Sequence, residues 1–107
     1  MPVATAEDVA FQLADVTAWL AAWKGAEAEV LPEARARCMT ILSDAWQFLF
    51  GDEKVPKQKA LAPTMLAEQV RSLRRVLEKW EGYDETERKA NLRTARNILA
   101  SAIAFFA

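Results

Sequence analysis

The stretch LAEQVRSLRRVLEKW, residues 66–80, decides the fold. Its large apolar side chains fall at Leu66, Val70, Leu73, Leu77 and Trp80, in steps of 4, 3, 4 and 3. A strand would alternate with a period of two, whereas these steps follow the 3.6-residue turn of an α-helix. Arg71, Arg75 and Lys79 lie on the opposite side of that helix, leaving one face for a core and one for water. Pro63 suits a first turn, where its missing amide costs no intrahelical bond. Gly82 suits a helix stop. The spacing predicts a helix over 63–81.

The same grammar extends outward. Val9, Leu13, Val16, Leu20 and Trp23 repeat the 4-3 step. Thr5 sits before them as a cap, Asp8 stands in the first turn, and Gly25 follows, which predicts a helix over 6–24. Pro32 opens a third periodic segment carrying Cys38, Ile41, Leu42, Ala45 and Leu49, closed by Gly51, over 32–50. Asp84 with Glu87 three residues on has the form of a capping box. It precedes Leu92, Ala95, Leu99, Ala102 and Phe106, a helix over 85–106.

Residues 51–62, GDEKVPKQKALA, have no period, contain Pro56 and form the one long connection. No strand pattern or tight hairpin turn stands out. The expected fold is a single all-α domain over residues 1–107, an antiparallel four-helix bundle wired up-down-up-down.

Composition limits the chemistry. The chain has no histidine, which removes Ser-His-Asp and Cys-His nucleophile systems and His-containing metal sites. Cys38 is the single cysteine, so no internal disulfide can form, which fits a reducing compartment. On the core-facing stripe it reads as a small hydrophobe. The acidic pairs stand at helix starts or in a loop, where capping and the helix dipole account for them. All three glycines fall at helix ends, and no glycine-rich phosphate loop is present. The expectation is a non-enzymatic protein with no cofactor and no metal. No leader pattern or membrane-length apolar run is visible, so a cytoplasmic location and no membrane partner are expected.

Two surfaces invite partners. The first helix is apolar on its back, where Phe11 is joined by Ala14, Ala18 and Ala22, and the fourth ends in ILASAIAFFA. A helix apolar all round wants a second neighbour. In the expected wiring the end of helix four lies near the start of helix one. Phe11, Ala14, Ala18, Ala22, Phe105 and Phe106 then form a protein interface, serving a homodimer or a different partner. An adaptor, inhibitor or regulatory subunit is the expected class.

The second surface is basic. Residues 1–53 hold nine acids and three bases, a net of −6, and residues 54–107 hold six acids and eleven bases, a net of +5. Arg71, Arg75 and Lys79 on helix three, with Lys89, Arg93 and Arg96 on helix four, could contact phosphates of a nucleic acid. Interspersed glutamates and the lack of aromatic residues within the rows weaken this alternative. Attraction between the two halves of the chain is the plainer reading of the charge contrast.

Overall fold

The computed structural model describes residues 5–22 and 32–107. Four α-helices are present: α1 (Ala6–Ala21), α2 (Pro32–Phe50), α3 (Pro63–Glu78) and α4 (Glu85–Phe106). No strand occurs among the described residues. The local causes are those the residues suggest. Thr5 Oγ1 accepts from the Asp8 amide at 3.1 Å and caps α1. Pro63 starts α3. Asp84 and Glu87 close the box that starts α4, with bonds of 2.8 and 3.2 Å. Gly51 takes φ +64 just past α2, and its amide donates to the Gln47 carbonyl at 2.9 Å.

Two ends differ from expectation. α1 closes at Ala21 with Ala22 as its cap, and Trp23 and Gly25 lie outside the described residues. α3 stops at Glu78 instead of running to 81. The Lys79 amide bonds back to Val76 at 3.2 Å, an i−3 contact that tightens the helix into a 3-10 turn at Trp80–Gly82. Arg88 holds that turn, donating from Nε to the Trp80 carbonyl at 3.1 Å and lying over the Trp80 ring.

The stripes of all four helices meet in one core. Leu13 and Leu20 of α1, Leu42 of α2, Leu66, Leu73 and Leu77 of α3, and Leu99 of α4 are fully buried. Each such side chain contributes roughly 1.5–3 kcal/mol relative to exposure. α1 packs most extensively on α3; α2 packs on α4 and α1, and α3 on α4. Arg74, late in α3, donates to the carbonyl of Ala10, early in α1, at 3.2 Å. Trp19, late in α1, meets Phe106, at the end of α4, with ring centroids 6.3 Å apart.

These contacts show four packed helices and bear on how they are wired. An up-down-up-down chain places α2 beside α3, but that pair is not among the extensive contacts. The reason lies in residues 51–62. Twelve extended residues reach about 40 Å, and the 19 residues of α2 span only about 28 Å. The connection is therefore long enough to travel the length of the helices and release α3 from α2. It runs along α4: Arg96 Nη2 donates to Glu53 Oε2 at 2.8 Å, Gln58 Nε2 donates to Asn97 Oδ1 at 3.1 Å, and Val55 to Gln58 line one open pocket with Ala100, Ile103 and Ala104.

The apolar ending of the chain is explained by the same segment. At 100° per residue Ala100 and Ala104 point away from the Leu99–Phe106 side. Ala100 is nevertheless buried, because the connection crosses there. The second neighbour that an all-round apolar helix requires is supplied by residues 55–58 of the same chain.

Candidate interface on the outer face of α1

The wiring separates residues that the sequence reading joined. Phe106 is in the core at 2 % exposure, and so is no part of an exposed patch. Phe105 is half-buried, packed at the core edge and edge-on to Phe106. Both lie at the end of α4 where Trp19 stands. Phe11 is eight residues earlier in α1, about 12 Å along the axis. Phe11 therefore stands apart from Phe105 and Phe106, with which the sequence reading grouped it.

What remains on α1 is a compact surface. Phe11 is 80 % exposed, more than Met65 or Val55, the other exposed large hydrophobic residues. Its helix-surface neighbours, three and four residues away, are Glu7, Asp8, Ala14 and Asp15. Asp15 is bound by Arg37 of α2 at 2.8 Å. Glu7 and Asp8 pair with no base among the described residues. Farther along, Ala18 and Ala22 are exposed and lead into an open groove of about 590 Å³ between α1 and α2, also lined by Trp19, Glu33, Arg37 and Cys38. Alanines keep this rim low, so a partner's backbone could come close.

Cys38 borders that groove but is itself buried. Burial, and then the nearby Asp15 carboxylate, push its thiol up to about 11, against the smaller opposing effect of Arg37. At neutral pH this favours the thiol, the weaker nucleophile, over the thiolate.

The basic rows do not form one stripe. Arg71, Arg75 and Lys79 are exposed on α3, with Arg71 near Glu68 at 3.9 Å. Lys89, Arg93 and Arg96 instead line a groove of about 390 Å³ together with Leu49 and Phe50 of α2 and with Leu92. Arg96 is engaged there, bonded to Glu53 and lying over the Phe50 ring at 4.7 Å. Lys89 and Arg93 form no ion pair among the described residues. Attraction between the chain's halves is also slight: Arg96–Glu53 is the single ion pair joining them among the described residues.

The α2–α4 groove was missed at the level of sequence. Its signal was present as Lys89, Leu92, Arg93 and Arg96, an i, i+3, i+4, i+7 set that places one leucine among three bases. The partner wall, Leu49 and Phe50, is set by packing and could not be paired with it in advance.

Among the described residues no group of three or more His, Cys, Asp or Glu side chains is placed to hold a metal ion. No described helix is long and apolar enough to cross a membrane. No protein-family model, curated protein or solved structure matches the chain.

Proposed function

We propose that this chain is a non-enzymatic protein–protein interaction module that docks a partner on the outer face of α1, with Phe11 as the anchor. The observation that carries the reading is the 80 % exposure of Phe11. A helical position surrounded by three carboxylates gains nothing in folding from an exposed phenylalanine. Aromatic anchors that fill a partner's pocket typically dominate binding energy. Ala14, Ala18 and Ala22 extend the surface toward the α1–α2 groove, and the carboxylates beside Phe11 would steer a basic partner.

The scaffold is, on this reading, an up-down-down-up bundle. α1 and α4 run one way and α2 and α3 the other, with residues 51–62 as the crossover. The Trp19–Phe106 and Arg74–Ala10 contacts support that sense. With α4 covered by the crossover, α1 carries the most exposed large apolar residue among those described, Phe11 at 80 % against 54 % for Met65 of α3.

The nucleic-acid alternative is supported less well. Its α4 row lines a groove against α2 that includes no residue of α3, and Arg96 is held by Glu53. Phosphate binding needs bases aligned along one path.

The test is site-specific photocrosslinking in the cell of origin, with a benzophenone amino acid at Phe11 or, as the control, at exposed Gln47 of α2. Discrete adducts from position 11 and none from position 47 are expected. No adduct, or the same adducts from both positions, would defeat the reading.

A further inference from the structure

We propose that the groove between the end of α2 and the start of α4 receives the Phe11 face of a second copy of this chain. The proposal rests on the reading of α1 as a docking face and names its partner. Two features of one surface match two features of the other. Phe11 stands out from α1 beside Glu7 and Asp8, two carboxylates with no ion pair among the described residues. The groove is lined by the apolar Leu49, Phe50 and Leu92, by the paired Arg96 and Glu53, and by Lys89 and Arg93, two cations without an ion pair among the described residues. Its volume, about 390 Å³, exceeds that of one phenylalanine side chain, so the ring can enter without repacking the core. Charge and apolarity are thus complementary together, two acids around a ring against two bases around a cleft.

The groove is also pre-formed. Arg96 is fixed by Glu53 at 2.8 Å and covers the Phe50 ring, so one wall is already ordered. Little side-chain freedom is then lost there on association. Donor and acceptor surfaces differ, so two copies either exchange the contact reciprocally across a two-fold axis or join head-to-tail as a ring or a chain of copies.

The experiment is sedimentation of the full chain across concentration, at about 0.1 M and about 1 M salt, where the screening length drops from about 10 Å to about 3 Å. The wild-type chain is expected to self-associate at low salt and to weaken at least about tenfold at high salt, since both charge pairs are exposed. Two variants then separate the faces: Glu7→Lys with Asp8→Lys, and Lys89→Glu with Arg93→Glu. Each alone should be monomeric. Mixed in equal amounts they should associate again, because the reversed α1 of one fits the reversed groove of the other. That recovery also shows both variants to be folded.

A wild-type chain that stays monomeric at low salt up to about 1 mM, the weak end of specific association, overturns the proposal and leaves the α1 reading to its crosslinking test. Association that survives groove reversal but not α1 reversal overturns the groove alone. Association that survives both reversals and Phe11→Ser overturns the groove and the α1 face together.

Discussion

The indole Nε1 of Trp46 donates to the backbone carbonyl of Glu53 at 2.7 Å, while the carboxylate of the same Glu53 accepts from Arg96 at 2.8 Å. One residue just past α2 is thus tied by its backbone to α2 and by its side chain to α4. This double tie aims the chain along α4 and starts the crossover. Trp46→Phe keeps an aromatic ring beside Phe50, 4.4 Å between centroids in the native pair, but removes the donor together with part of a ring that is 4 % exposed. Because Glu53 is exposed, water can replace the bond, so its share of the loss is about 1 kcal/mol, and the void left by the smaller ring adds about 1–2 kcal/mol. Urea unfolding would measure it. A loss of about 4 kcal/mol would mean that the indole holds more than this carbonyl.

Phe11 and Leu13 are two residues apart and should respond oppositely. Phe11→Ser removes an 80 % exposed ring and should change stability by no more than about 0.5 kcal/mol. Leu13 is fully buried, and Leu13→Ala should cost about 2–5 kcal/mol through lost burial and the cavity left behind. Chemical denaturation of both variants checks the contrast. A large loss on Phe11→Ser would place the ring in the fold's own packing.

The helices were legible because each carries its cap, stripe and stop within itself. α2 and α4 appear with the bounds their residues suggest, Pro32–Phe50 and Glu85–Phe106. The wiring was not legible, because it depends on where residues 51–62 go, and a polar, aperiodic segment carries no direction. The candidate interface suffered for the same reason. Alanine is both the best helix former and the residue of close packing. Nothing in the sequence distinguishes Ala100, buried under the crossover, from Ala18, exposed on α1. Phe11 stood out in sequence by its place on the back of the first helix, away from the stripe, and it is exposed there.

Cys38 should resist thiol reagents. Its pKa, raised to about 11 from 9.0, leaves almost no thiolate at pH 8, and burial blocks approach. A chromogenic disulfide reagent should label the native chain much more slowly than the urea-unfolded chain. The sign for stability follows from the same shift. The folded state holds the proton more tightly, so this contribution is complete below pH 9 and is lost as pH rises toward 11. Comparing wild type with Cys38→Ala over that window isolates it. Equal labelling of native and unfolded protein would contradict the burial.

Gly51 and Gly82 look alike in sequence, each closing a helix, yet only Gly51 has a positive φ, +64. A Cβ at either position meets no atom within 4 Å, so any cost of alanine is conformational and not steric crowding by neighbours. Gly51→Ala must hold an L-residue in the left-handed region and should lose about 1 kcal/mol, with Gly51→Asn losing less because asparagine tolerates that region. Gly82→Ala has no such strain and should be neutral or gain up to about 1 kcal/mol from a stiffer unfolded chain. Thermal melts of the three variants decide the matter. Equal losses at both glycines would show that the turn after α2 does not depend on its left-handed residue, and that the Gln47–Gly51 bond survives a different backbone.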